Sequence, residues 1–250
     1  MRKGLINAPP IWIAACGLAV AVAGPALAID LGQPEVTKGA TELRNVNVAG
    51  WDKDDGGSPR HLHEFHIGYG VTEELALKGI LAIEGADGEH MHAVIGTVEG
   101  TYELIDIEKS GGFGLAWYTI VDLAIDDDAS HDVMFGPILK FHTGKWDFVT
   151  NTYAVRTFGD NRAPGTEFSY AWLAAYEVCP KLRIGVEGDG GVDAVFHLPS
   201  IDEQVHRIGP ALFTEFNVGQ QVVTMDLGLQ FGLADAATDT EAKLIFGTVF

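Results

Sequence analysis

Apolar and polar residues alternate one for one along almost the whole of this chain. In the stretch VVTMDLGLQFGL, Val223, Met225, Leu227, Leu229, Phe231 and Leu233 fall on one side, and Thr224, Asp226, Gly228, Gln230 and Gly232 on the other. LALKGILAI sets Leu75, Leu77, Leu81 and Ile83 against Lys78; FSYAWLAAYEV sets Phe168, Tyr170, Trp172 and Tyr176 against Ser169, Ala171, Ala175 and Glu177. Successive side chains of a strand point to opposite faces, so a period of two specifies strands with one apolar and one polar face. Such segments recur at 41–51, 61–71, 74–84, 91–104, 113–124, 133–143, 146–158, 167–178, 182–190, 206–216, 221–233 and 241–250. Each is about ten residues, the length of a tilted strand that crosses a bilayer. No apolar run after residue 28 is long enough to be a transmembrane helix.

The connections fall into two alternating kinds. GVTEE, HTGKW, EVCPKL and FNVGQQ are tight, and IDIEKSGG joins them by order. WDKDDGGSPR, EGADGEH, IDDDASHD, FGDNRAPGTE, GDGGVDAVFHLPSIDEQV and LADAATDT are longer, polar and acidic. Short turns on one side and long loops on the other are how an outer-membrane barrel is built. If the even-numbered strands descend from outside, the outward aromatics form two belts. Tyr69, Tyr102, Phe113, Trp146, Tyr176, Phe216 and Phe250 fall at the lower rim, with Phe135, Phe158, Phe168, Tyr170 and Phe231 at the upper. Aromatic rings favour the membrane interface, where one end is apolar and the other wet. Pro137 and Pro210 lie inside predicted strands, each after a glycine. Proline cannot donate to a ladder, so a bulge at the rim is expected at each. The fold expected is all-β: a transmembrane antiparallel up-and-down β-barrel of about twelve strands over residues 41–250.

The first residues fix where such a barrel goes. Arg2 and Lys3 precede an apolar stretch from Ile11 to Val22, and the segment closes on Ala26-Leu27-Ala28. A basic start, a short apolar core and an A-x-A site make a secretory signal peptide over residues 1–28, implying Sec-type export and cleavage before Ile29. Residues 29–40 then form a periplasmic segment ahead of the barrel. Ile13-Ala14-Ala15-Cys16 has the look of a lipobox but leaves too little apolar core before the cysteine. Cleavage leaves Cys179 as the one thiol, so no internal disulfide exists. The formal charge of the whole chain is −19, and cleavage removes two bases and no acid. Such a surface repels nucleic acid phosphates and suits cations, or lipopolysaccharide bridged by divalent cations.

The chain ends on EAKLIFGTVF, in mid-strand, with Leu244, Phe246 and Phe250 on one face. A closing strand needs no polar tail if it pairs with the first strand and its last ring sits at the interface. This terminal strand resembles the assembly signal of Gram-negative outer-membrane β-barrel proteins, with Thr248 where an aromatic is often found. The resemblance implies outer-membrane location and recognition by the barrel-assembly machinery through that strand. GYGVTEELALKG is similar to the short periplasmic hairpins of uncharacterised channel-like outer-membrane proteins, including the phenol-degradation MetA type.

The inward face carries the candidate chemistry. Glu64, Glu84, Glu99, Asp122, Glu187 and Asp226 are expected to line the lumen, among further acids and fewer bases. Carboxylates in a wet lumen lower the barrier for cations, whereas a packed interior would pair them across strands. The reading that follows is a passive channel or transporter for small, cation-leaning solutes, with no cofactor. His61, His63, His90 and His92 cluster in HLHEFH and HMH; histidines two apart on a strand share a face, a geometry usable by zinc or copper. His61, His63 and His92 are expected to point outward at the upper rim, and His66 inward beside Glu64. A lipid hydrolase built on a barrel is an alternative, with His63 or His92 as base, but Ser169 faces inward and Ser58, Ser130 and Ser200 lie in loops. A structural or adhesion barrel with acidic loops is a third.

Overall fold

The computed structural model describes residues 31–53, 58–86, 88, 90–125, 130–159, 162, 165–192, 195–196 and 198–250. The signal peptide expected at 1–28 lies outside the described residues. The strands are β1 (Thr41–Trp51), β2 (Arg60–Gly70), β3 (Leu75–Ala86), β4 (His92–Ile105), β5 (Phe113–Ala124) and β6 (His131–Thr143). They continue with β7 (Trp146–Phe158), β8 (Glu167–Cys179), β9 (Leu182–Val192), β10 (Val205–Val218), β11 (Gln221–Gly232) and β12 (Thr240–Val249). All twelve pair antiparallel with their neighbours, and β12 closes on β1 into a barrel. The alternation in sequence places the strands to within two residues at nearly every boundary. Among the described residues no helix is long and apolar enough to cross a membrane; crossing is by strands.

The seam is fastened at both ends. At the turn end Thr41 and Phe250 exchange backbone hydrogen bonds of 3.2 and 2.9 Å, so the last residue is part of the ladder. At the loop end the Lys53 backbone N–H and its ammonium donate to the Asp239 carboxylate at 2.7 and 3.1 Å. Those two bonds hold the Asp239 carboxyl below its usual range. The outer face is apolar: Tyr69, Tyr102, Trp146, Phe216 and Phe250 are exposed at the turn end, and Phe135, Phe158, Phe168 and Phe231 toward the loop end. Phe65, Trp117, Phe141 and Phe148 extend this surface between and beside the belts.

The two prolines do not sit in bulges. Tyr118 pairs with Gly136 and Trp117 with Pro137, but the β6–β7 ladder skips both residues and resumes in the same register at Ile138 and Asn151. Gly209 and Pro210 likewise pair with β9 and are skipped by β11, with no shift in register. The reason is local. Thr152 stands opposite Pro137, and its carbonyl, deprived of a proline N–H, lies over Gly136 where a Cβ would be. The Leu229 carbonyl does the same over Gly209. Glycine therefore absorbs the missing bond by close approach, and no extra residue is inserted. The true register shifts lie at Ala82/Ile83, Glu103/Ile105 and Glu177/Cys179.

The shift at Ala82/Ile83 corrects one expectation. Beyond it His92 pairs with Glu84, an inward residue, so His92 shares the inner face and does not point outward.

Because a Cβ at Gly209 would collide with the Leu229 carbonyl, Gly209→Ala should cost about 1–3 kcal/mol, the range for forced overpacking. Urea unfolding of the refolded barrel measures this, with Gly79→Ala as control, since only Ile67 lies at van der Waals distance there.

Candidate functional site in the lumen

The inner face is divided into two unlike walls. Over β5–β8 the residues that alternation turns inward are themselves apolar: Ala116, Tyr118, Ile120, Ile138, Val149, Tyr153, Val155, Leu173 and Ala175 form one buried cluster with Met134, Ala211 and Phe213. Tyr118 and Tyr153 pack with ring centroids 5.8 Å apart. In a wet lumen these side chains would face water. They do not, because residues ahead of β1 cover them.

The described part of residues 29–40, the segment ahead of the barrel, enters the lumen. Leu31 packs on the apolar cluster. Gly32 lies against Ile138 and Asn151 so closely that a Cβ would be 3.0 Å from the isoleucine methyl. Pro34 is fully buried and fits against Gly114. Glu35 forms an ion pair with Lys140 of β6. The chain leaves the lumen at Thr37, and Gly39 donates to the Gly70 carbonyl at 2.8 Å. Asn151, with no exposed surface, fixes the insertion. With its amide oriented to satisfy its neighbours, it accepts from the Gly32 N–H (2.8 Å) and the Tyr153 hydroxyl (2.7 Å) and donates to the Gly32 carbonyl (3.2 Å). A backbone inside the barrel thus keeps its hydrogen bonds through a side chain that imitates a strand.

The other wall, from β9 through β12 and round to β4, carries rows of charged pairs, with Val46, Val48 and Ile245 as a small buried apolar cluster among them. Nearest the loops Arg207 donates to Asp189 at 2.6 and 3.0 Å and to Glu241 at 2.5 Å. One row lower Lys243 meets Glu187 at 2.6 Å. Arg44 then lies 3.7 Å from Asp226 and 3.6 Å from Glu42, and Lys78 lies 3.8 Å from Glu42 and 3.4 Å from Glu99. Glu42 and Arg44 therefore face inward from β1. A cavity of about 190 Å³ remains between the inserted segment and this wall, lined by Glu42, Arg44, Lys78, Glu99 and Tyr118 among others.

Six acids are expected to line the lumen. Glu64, Glu99, Asp122 and Glu187 are buried, Asp226 is partly buried, and Glu84 stands near the loop end of β3. Glu64 pairs with His66 at 2.9 Å, and Asp122 accepts from the Thr97 hydroxyl. Four of the acids, Glu64, Glu99, Glu187 and Asp226, are engaged with basic groups or histidine, so the lumen is neither an open acidic tube nor a sealed apolar core. The histidines are dispersed. His61 and His63 lie on the outer face of β2, His63 with Nδ1 2.8 Å from the Asn47 amide oxygen, while His90 is in a loop and His92 opposite Glu84. Among the described residues no group of three or more His, Cys, Asp or Glu side chains is arranged to hold a metal ion. Ser169 is buried in the lumen, on the face opposite His61 and His63. Leu244, Phe246 and Phe250 share the outer face of the closing strand.

Residues 97–244 match the family model described as "Putative MetA-pathway of phenol degradation". The chain belongs to this family. Solved structures similar to it include an outer-membrane channel of Pseudomonas putida F1, with 13% identity and a TM-score of 0.59 over 88% of this chain and 99% of that one. The NanC porin is similar at 8% identity and a TM-score of 0.56, over 84% of this chain and 98% of that one. No curated protein sequence matches the chain. At these identities the structural likeness speaks for the fold, an outer-membrane β-barrel of channel-like type. For this phenol-degradation family member the two-walled lumen is what the chain's own residues add.

Asn151→Leu would leave the Gly32 N–H and carbonyl unpaired inside the barrel, a cost of about 1–3 kcal/mol for each stranded group. Hydrogen exchange of residues 31–36 should then quicken at least tenfold, while the heat-dependent gel shift of the folded barrel persists. Unchanged exchange would show that the segment is held by something else.

Proposed function

We propose that the protein is a passive outer-membrane channel for small solutes with a preference for cations. The observation that carries this reading is the charged wall. Charged pairs are strung along it, from Asp189, Arg207 and Glu241 at the loop end to Glu42, Lys78 and Glu99 at the turn end, around the small apolar cluster of Val46, Val48 and Ile245. A barrel that served only as a rigid body would have no use for charges along its axis, and burying them is costly unless each is matched. Carboxylates exceed bases among the buried groups, with Glu64, Glu99, Asp122, Glu187, Asp189 and Glu241 against Arg207 and Lys243, which favours cations over anions. The inserted segment narrows the route to this wall, so the passage is for small solutes.

The remaining parts of the reading concern how the barrel reaches its membrane. Export follows from the N-terminal signal, and the mature chain begins at Ile29. The closing strand with Phe250 engages the barrel-assembly machinery, and the acidic loops meet lipopolysaccharide through divalent cations. The hydrolase reading finds no support in the placement of Ser169.

Planar-bilayer recording of the refolded protein tests the reading. It should give small, cation-selective steps, and deletion of residues 29–37 should enlarge them several-fold. Asp226→Arg should shift the reversal potential toward anions without unfolding the barrel, because Asp226 lies in the partly wet lumen beside Arg44. Leu227→Arg, one residue away but facing lipid, should instead cost about 2–4 kcal/mol if it lies near the bilayer midplane. A silent folded barrel, silent also after the deletion, would refute the channel.

A further inference from the structure

On the charged wall, on the inward faces of β9 and β11, three buried side-chain oxygens have no hydrogen-bond partner among the described residues. Glu187 reaches across β10, gives one oxygen to Lys243 and leaves the other, Oε1, over Gly228, where a Cβ would collide with it. That second oxygen has no hydrogen-bond partner and is buried. Gln230, two residues along the same inward face of β11, is 3% exposed, and its Oε1 is likewise unpartnered. Asp189 is 1% exposed; Arg207 takes its Oδ2 and leaves Oδ1 without a donor. Gly209 separates these groups and carries no side chain. It pairs with Glu187 on one side, and a Cβ built on it would be 2.8 Å from the Gln230 Cα on the other. The break in the ladder at Pro210 adds the Leu229 carbonyl, turned over Gly209 toward the same space.

A buried oxygen without a donor costs free energy, and here three side chains on neighbouring rows of the wall incur that cost. Filling the gap with apolar side chains would remove the cost, yet glycine stands at both Gly209 and Gly228. We infer that Glu187, Asp189, Gln230 and the Leu229 carbonyl form a transit site for a small monovalent cation bearing N–H donors, that is, a protonated amine. Every group offered is an acceptor, which excludes anions. Lys243 and Arg207 stand against three carboxylates, Glu187, Asp189 and Glu241, which leaves one formal negative charge, too little for a hard divalent ion and suited to a monovalent one. An ammonium group matches the set best, because it donates several directed hydrogen bonds at once. This rests on the channel reading and adds to it the chemical class that this part of the charged wall selects.

Ammonium and potassium have nearly equal mobility in water, so a preference between them reports the site. Under bi-ionic conditions in planar bilayers the wild-type channel should prefer ammonium to potassium at least threefold, and methylammonium should also pass ahead of potassium. Gln230→Leu removes one acceptor and no ion-pair partner, so the barrel should fold; its ammonium preference should fall to near unity while potassium current persists. Gln230→Glu, which keeps the acceptor, should restore the preference. Equal permeability in the wild type would mean that the oxygens hold water only, and an unchanged ratio in Gln230→Leu would place selection elsewhere; either overturns the inference and leaves the channel standing. If the barrel carries no current, the channel reading itself has failed, and ¹⁵N-ammonium titrated into the detergent-refolded protein decides the site. A saturable shift absent from Gln230→Leu supports it, and no such shift overturns it.

Discussion

In hydrocarbon every backbone N–H and C=O must find a partner within the protein, and in this fold that demand is met only if the first and last strands pair. The mutual bonds of Thr41 and Phe250 and the register from Glu42–Val249 to Trp51–Thr240 meet it. The rest follows from closure. Once the sheet is a cylinder, one face of each strand meets lipid and the other meets an interior too wide for side chains alone to fill yet too narrow to be a broad pore. The same demand explains the glycines before Pro137 and Pro210. A strand that has lost a donor must bring its neighbour's carbonyl to a place where it can be tolerated, and only a residue without a Cβ leaves that place empty.

The interior is filled unevenly, and this gives the molecule its functional asymmetry. On the β5–β8 side the inserted residues 31–36 convert half of the lumen into a packed core held by Asn151. On the opposite side the wall carries paired charges around the small apolar cluster of Val46, Val48 and Ile245. The two halves depend on each other. Without the inserted segment the tyrosines and aliphatic residues of β5–β8 would face water; without the charged wall there would be no polar route past the insertion. The matching family model gives the family and the similar barrels give the fold; under the channel reading proposed above, the division of the lumen is the feature through which this chain would choose its solutes.

The barrel was legible because period-two alternation, turn length and aromatic placement are independent signals that agree, and residues such as Leu227 and Asp226 follow their pattern as the structure has it. What the pattern could not carry is anything that changes phase or lies outside a strand. One inserted residue at Ala82/Ile83 turned His92 from the outer to the inner face, and a bulge leaves no mark in composition. The Gly-Pro pairs suggested bulges where close approach serves instead. The insertion of residues 31–36 has no periodicity of its own, but a sign of it was present. Strands β5 to β7 are apolar on both faces, as in Ala116, Tyr118 and Ile120 beside Leu115, Trp117 and Val121, and an inward apolar face inside a barrel requires a cover. The pairing of the acids with Arg207, Lys243, Arg44 and Lys78 depends on which rows meet across strands, and one sequence does not fix that.

The central claim is that solutes pass along the charged wall and not along the β5–β8 wall. Single-channel recording with a cationic thiol reagent tests it directly, in a Cys179→Ser background because that thiol is exposed. Cysteines introduced singly at Thr224 and Thr101 should react and reduce the current, since both side chains face the inner surface on the charged side. Cysteines at Val149 and Leu173, under the inserted segment, should stay unmodified until residues 29–37 are deleted. Rapid block from Val149 or Leu173 with the segment intact, and none from Thr224 or Thr101, would contradict the account.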